Sequence, residues 1–377
     1  MRGDVVELAK LLINEDTTAP PGNEKKCARV LRDYFQDLHL DDCTVQLDEF
    51  APGRANLLVK VGPGRPGLVL SGHIDVVPAG DLTKWATGPF DAHVRRGKLY
   101  GRGAVDMKGA VAAMACAVGS AKGSKLKRRL VFAATAGEEV DTVGLESLLN
   151  QKKLTREDAM YCVIGEPSEL KPVRGHRGGP SLMVKFAGRS AHASKPELGA
   201  NAVEMCARFM MEVESWEKKL GRQRDKDLGV TILTNTVVRG GTKSNVIPDS
   251  CELEIDCRTI MRHDRAYILD GLQKITERVT DHQKEIKVSI ESNVDCPPFL
   301  TPRGHPLVRL CEEVSGNEST IAGYGTEAPW YVAAGIPTVV LGPGSVFMAH
   351  KPDEYIEVRD AGRASSVYSE LIRRVCS

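Results

Sequence analysis

The sequence predicts an α/β domain built on a mixed sheet with helices on both faces, interrupted by a smaller α+β domain. Two observations predict it. Five short, apolar, β-branched runs (NLLVKV, GLVLSG, RLVFAAT, MYCVIG and PTVVLG) suit strands buried on both faces. They alternate with segments of helical spacing, the signature of an α/β sheet. Between the fourth and fifth runs the pattern changes. SLMVKFAG, VTILTNTVV, CELEIDCR and KEIKVSIES alternate apolar and polar residues, as an antiparallel sheet with one wet face requires. A chain of 377 residues has room for two or three domains and a full core.

The elements are read in chain order. Val5, Leu8, Ala9 and Leu12 fall on one helical face. After the break TTAPPGN, the residues Ala28, Leu31, Phe35 and Leu38 repeat that spacing. The Gly-rich VGPGRPG lacks a following GK[ST], so it reads as a hairpin turn and not a phosphate loop. Gly109 to Val118 is a helix of small residues. In the middle region, helices are expected near Asn201–Glu217 and Asp264–Val279, and the charged stretch ESWEKKLGRQRDKD as a solvated loop. In CELEIDC, Glu252, Glu254 and Asp256 should face away from Cys251, Leu253, Ile255 and Cys257. The first domain is thus expected at 1–172 and 288–377, with the second inserted at 173–287.

Composition excludes several classes. Lys+Arg 51 against Asp+Glu 50 argues against a nucleic-acid binder that works by neutralising phosphates. No apolar run reaches the ~18 residues of a membrane span. The start, MRGDVVELAKLL, carries Asp4 and Glu7 and does not read as a signal peptide. The 10 cysteines form no CxxC and sit in apolar patterns, which suits buried thiols in a reducing cytoplasm.

The chemistry lies just beyond the buried strands. LVLSG runs into His73 and Asp75, LVFAATAG into Glu138 and Glu139, YCVIG into Glu166, and VVLGPGSVFMA into His350. Asp106 joins from GRGAVDMKG. Ligands of open α/β sheets bind beyond the carboxyl ends of the strands. Imidazole and carboxylate donors suit zinc, cobalt or manganese better than magnesium or calcium. They exceed what one catalytic zinc needs, and a pair of divalent metal ions bridged by a carboxylate uses them more naturally. Cations would also relieve the mutual repulsion of the acids. No GxSxG elbow is present, and GRSAHAS offers Ser190, His192 and Ser194 without an obvious acid partner for a triad.

With SGHIDVVPAG, GRGAVDMKGAVAAM, ATAGEEVDTVG, GEPSELKPVRGHRG, GRSAHASKPELGANAVE, KSNVIPDSCELEIDCR and MAHKPDEYIEV in family order, the sequence resembles the dinuclear-zinc aminoacylase family. That family includes acetylornithine deacetylase, succinyl-diaminopimelate desuccinylase, carboxypeptidases and aminoacylases. The resemblance implies a zinc-peptidase-like sheet with an inserted ferredoxin-like lid or dimerisation domain, two zinc ions and a cytoplasmic homodimer. It implies that Asp106 bridges the metals, that His73 and Glu166 complete one site, and that Glu139 and His350 complete the other. Asp75 should then hydrogen-bond the second nitrogen of His73, Glu138 should be the general base, and Asp106–Met107 should be a cis peptide. His192 resembles the family's oxyanion donor, reaching across from a partner subunit in dimeric members. Arg258 resembles its carboxylate clamp, with Asn245 as neighbour. GYGTEAPWYVAAGIPTVVLGPGSVFMAHKPDEY looks most like acetylornithine deacetylase, and Glu327 within it could meet a substrate ammonium. The implied reaction is removal of the acyl group from an N-acyl amino acid, N-acetylornithine first and N-succinyl-diaminopimelate as the alternative. Other acyl amino acids and C-terminal dipeptides stay open. Two rivals of other classes are a metal-stabilised binding protein that has lost its base or a ligand, and an interaction module using the inserted sheet's edge. The presence of every ligand and of Glu138 argues against the first.

Overall fold

Each of the five apolar runs is a strand in the structure, a computed structural model that describes residues 4–294 and 296–377. Residues 1–3, where MRGDVVELAKLL begins, lie outside the described residues. The chain divides into two units. One comprises the chain up to Arg174, Thr301–Thr320 and Thr326–Ser377, and the other Gly175–Leu300 with Ile321–Gly325. The second unit thus runs to Leu300 and not to 287, because the strand Lys287–Val294 pairs with Ser181–Ala187 inside it.

In the first unit the strands lie in the order Cys43–Ala51, Arg54–Val61, Leu130–Thr135, Gly67–His73, Ala159–Pro167 and Thr338–Gly342. The last four are mutually parallel, and the first two add an antiparallel hairpin at the edge. Parallel strands end on the same side, so the segments after His73, Thr135 and Glu166 emerge together. Gly67–His73, Leu130–Thr135 and Thr338–Gly342 are buried along their whole length, which explains why they are continuously apolar. Gly342 lies so close to the neighbouring strand that a Cβ there would collide with the carbonyl oxygen of Gly165. VGPGRPG is not a hairpin: Leu130–Thr135 lies between the two strands that it joins.

Helices cover this sheet as the spacing predicts. Val5–Ile13 buries Val5, Leu8, Ala9, Leu12 and Ile13, and Asp4 caps its first N–H groups. Lys25–Leu38 buries Cys27, Ala28, Leu31, Phe35 and Leu38. Gly109–Ser120 is buried all round except near its C-terminus and packs against Val358–Cys376, an arrangement its small side chains permit.

The second unit has a four-stranded antiparallel sheet in the order Ile232–Gly240, Ser250–Arg258, Ser181–Ala187 and Lys287–Val294. With helices Ala202–Leu220 and Arg265–Thr280 it forms the βαββαβ pattern of ferredoxin-like folds. Cys251, Leu253, Ile255 and Cys257 face the core, while Glu252, Glu254 and Asp256 stay half-exposed. ESWEKKL is not loop but the end of Ala202–Leu220. These residues favour helix, and Glu214 and Lys218 pair at i,i+4 spacing. Among the described residues no helix is long and apolar enough to cross a membrane, and none of the cysteines is in a disulfide.

Candidate metal centre

Three strand ends and two loops of the first unit supply the centre. His73 is the last residue of its strand and is almost fully buried. The chain beyond it stays extended because Thr17 Oγ1 donates to the Ile74 carbonyl and the Ala19 N–H to that of Val76. Glu166 lies near the end of Ala159–Pro167. Asp106 interrupts the turn before Gly109–Ser120 with a non-helical backbone, and the Asp106–Met107 peptide is cis. His350 follows a short 3₁₀ turn, with φ of 61°.

These side chains converge. His73 Nε2 is 3.1 Å from Asp106 Oδ1 and 3.5 Å from Glu166 Oε1. His350 Nε2 is 3.2 Å from Asp106 Oδ2 and 3.2 Å from Glu139 Oε1. One Asp106 oxygen therefore faces each imidazole. The ligand atoms of His73, Glu138 and Glu166 lie within 4.8 Å of one another, as do those of His73, Asp106 and Glu139. Two donors each ~2.0–2.1 Å from a tetrahedral ion stand about 3.3 Å apart, so these separations match paired ligands.

Asp75 has a different role from the one expected. Its Oδ1 accepts the N–H groups of Gly137 (2.8 Å) and Glu138 (3.2 Å), and its Oδ2 that of Glu139 (3.0 Å). With its oxygens so engaged, the carboxylate stands 3.6 Å from His73 Nδ1, too far for a good hydrogen bond. The Asp75 main-chain carbonyl, at 3.0 Å, is the partner of that nitrogen. Asp75 thus holds the turn that presents Glu138 and Glu139, a turn Gly137 enters at φ of 85°.

The electrostatics show a shortage of positive charge. Burial pushes Glu138 and Glu166 well above the usual carboxylate range, and neighbouring acids push the same way. Burial likewise raises Glu139. Burial opposes the His73 cation, but Glu166, Asp106 and Asp75 outweigh it and hold His73 well above its ordinary value. Hydrogen bonds to Asp106 and Glu139 carry His350 up to about 10. Burial works against the Asp106 anion, yet the two imidazoles hold it below its ordinary value. Nitrogen and oxygen donors that recruit protons in this way fit divalent cations, which would supply the missing charge.

The remaining expected residues lie elsewhere. His192 is exposed in the second unit, on a two-residue strand opposite Val246. Its Nδ1 accepts the Ser194 N–H at 3.2 Å and lies 2.7 Å from Ser194 Oγ. Asn245 is brought beside this ribbon, its carbonyl accepting the Ala193 N–H. Arg258 ends the strand Ser250–Arg258, and its guanidinium already grips Asp256 through two hydrogen bonds of 3.0 and 3.2 Å. Glu327 belongs to the first unit but is 1% exposed, accepts from Thr135 Oγ1 at 2.8 Å, and has no partner for Oε1 among the described residues. Burial pushes it up to about 7. A carboxyl so enclosed is not a surface contact for a substrate ammonium.

Sequence reasoning missed Glu354 and Arg102, which form a buried ion pair of 2.6 Å beside Asp106. Their signal was the position of Glu354 just after His350, in HKPDE, and of Arg102 just before Asp106, in GRGAVD.

Comparison with known proteins bears on this geometry. Residues 69–374 match the model of peptidase family M20/M25/M40. The chain is 32% identical to acetylornithine deacetylase of Aliivibrio fischeri (strain MJ11), over 92% of this chain and 90% of that protein. Its fold is similar to that of aminopeptidase PepT from Bacillus cereus ATCC 10987, at 20% identity and a TM-score of 0.79, covering 99% and 98% of the two chains. It is also similar to the M20 family metallo-carboxypeptidase Sso-CP2 from Sulfolobus solfataricus, at 18% identity and a TM-score of 0.78, covering 99% of each.

Proposed function

The chain belongs to peptidase family M20/M25/M40 and is a metal-dependent amide hydrolase, and on that premise we propose that it removes the acyl group from N-acyl amino acids, N-acetylornithine foremost. The observation that carries the two-metal reading is the pair of Asp106 oxygens, each facing a different imidazole. His73 and Glu166 would hold one ion, His350 and Glu139 the other, and Asp106 both. The relatedness to an acetylornithine deacetylase supports the substrate.

When bound, a pair of dications supplies a water acidified towards a pKa of ~7 and a polarised amide carbonyl. The chain's own residues do the rest. Glu138 takes a proton from the attacking water and delivers it to the departing amine. Asp75 keeps Glu138 and Glu139 in register through their N–H groups. We assign His192 as the donor to the developing oxyanion. Because its Nδ1 accepts the Ser194 N–H, the neutral ring carries its proton on Nε2, the nitrogen that can donate. We assign the substrate carboxylate to Arg258, with Asn245 beside His192 as a further polar contact. Asp256 takes the Nε and Nη2 edge of the guanidinium and competes with a substrate carboxylate for it.

We further propose zinc as the metal, a reducing cytoplasm as the compartment, which thiols outside disulfides suit, and a homodimer formed through the edge of the second unit's sheet. Light scattering tests the dimer. A panel of acylated amino acids assayed with the zinc-, cobalt- and manganese-loaded protein tests the activity. Turnover of N-succinyl-diaminopimelate equal to or above that of N-acetylornithine defeats the substrate assignment.

A further inference from the structure

Glu354 has no role in the reaction as assigned, yet it ties together the two segments that present Asp106 and His350. Its side chain is fully buried. Oε1 accepts the N–H of Val105 at 2.9 Å and that of Asp106 at 3.1 Å. Oε2 accepts from Arg102 Nη1 at 2.6 Å. The Glu354 carbonyl accepts the Gly101 N–H at 3.0 Å, and Tyr355–Glu357 continues as a strand paired with Lys98–Tyr100. Arg102 is in turn anchored by contacts to the carbonyls of Lys351 (3.4 Å) and Pro78 (3.3 Å), with its guanidinium over the Trp85 ring.

We propose that Glu354 is a positioning residue for the metal centre: its carboxylate fixes the Asp106 backbone so that the two Asp106 oxygens face His73 and His350. The inference rests on the reading of Asp106 and His350 as metal ligands. Asp106 has φ of −126° and ψ of 92°, outside the helical region. The N–H groups of Val105 and Asp106 therefore need an acceptor from elsewhere, and a buried N–H without one is costly. One oxygen of Glu354 serves both. Arg102 supplies the countercharge that lets this acid be buried. Groups that orient a metal ligand from behind set its affinity as much as its position.

Zinc binding, read by competition with a chromophoric chelator, separates positioning from mere stability. Glu354→Ala is expected to weaken zinc affinity about 10- to 100-fold, and to lower kcat with little change in KM. Glu354→Gln keeps an oxygen for the two N–H groups and is expected to restore most of the affinity. The double variant Arg102→Leu with Glu354→Leu removes the buried charges together, so it keeps the fold testable where the single alanine is unstable. It lacks the acceptor and is expected to bind zinc as weakly as the alanine variant. Native zinc affinity in a folded Glu354→Ala or in the double leucine variant overturns the inference, as does a Gln variant no better than Ala. An unsubstituted protein that takes up no zinc sinks the two-metal reading itself, which a normal wild-type titration with unaffected variants does not.

Discussion

The residues expected to act in catalysis fall into two regions of opposite character. In the first unit, His73, Glu166 and Asp75 are buried, Asp106, Glu138 and Glu139 are half-buried and His350 is exposed, and the partners of His73, Asp106, Glu139, Glu166 and His350 are one another. In the second, His192 is exposed, Arg258 is half-exposed, and each is engaged by a near neighbour in sequence, Ser194 and Asp256. A buried cluster of acids must be compensated within the fold, so its geometry is set before any substrate arrives. Exposed polar groups can keep a local partner and exchange it on binding, at a cost of about 1 kcal/mol or less for a surface ion pair. The first region is built to hold, the second to adapt.

The sharpest way to break this comparison is to show that the buried cluster does not hold. Glu138→Ala is expected to lower kcat by ~10²–10⁴-fold while metal content stays at the wild-type level. Elemental analysis beside steady-state kinetics reads both, and undiminished turnover removes Glu138 from its role. His73→Ala is expected instead to lose bound metal, because it withdraws a donor and leaves Glu166 and Asp106 facing each other. Retention of two ions per chain by that variant would mean that the cluster does not ligate through His73.

This contrast also explains what was legible in the sequence. The parallel strands were readable because burial on both faces demands unbroken apolar runs, and His73, Glu166 and the pair Glu138 and Glu139 because they follow closely on those runs. The alternation in CELEIDC gave the second unit's sheet for the corresponding reason. Long-range pairing was not legible. VGPGRPG looks like a hairpin turn locally, but Leu130–Thr135, far along the chain, inserts between its flanking strands. The charge of ESWEKKL conceals a helix whose apolar face continues through Trp216 and Leu220 between the charged residues. Asp75 was correctly placed beside His73, but three N–H groups from a distant turn take its carboxylate. Only its place just after His350 marked Glu354, because its contacts are with Arg102 and with backbone groups some 250 positions away, which no local pattern encodes.

The adaptable region predicts smaller and more separable effects. His192→Ala is expected to lower kcat by about 10²-fold, as loss of one oxyanion donor does, with metal content unchanged. Ser194→Ala keeps the backbone N–H on Nδ1 and so should cost far less. Arg258→Ala is expected to raise KM about tenfold or more, the scale of a charge-assisted hydrogen bond of ~1.5–3 kcal/mol. Asp256→Asn frees the fork and should lower KM. A KM unchanged in both variants would show that the substrate carboxylate is held by another residue.

An effect on stability and not on turnover belongs to Glu327, a buried residue of the first region that stands outside the cluster. Its folded pKa of about 7 lies above the value of 4.5 expected of an unperturbed Glu, because burial penalises the anion more than the Thr135 hydroxyl stabilises it. Between pH ~4.5 and ~7 the folded state keeps a proton that the unfolded state has released. The folded state therefore loses stability as pH rises through that window, and the loss is constant above it. The full difference amounts to up to about 3 kcal/mol. Glu327→Gln removes the ionisation while keeping an oxygen for Thr135, so its urea midpoint should exceed the wild type's at pH 8 and converge with it near pH 4.5. Parallel pH profiles for the two proteins would mean that Glu327 is hydrated and ionised in solution, and would make it once more a group able to meet a substrate cation.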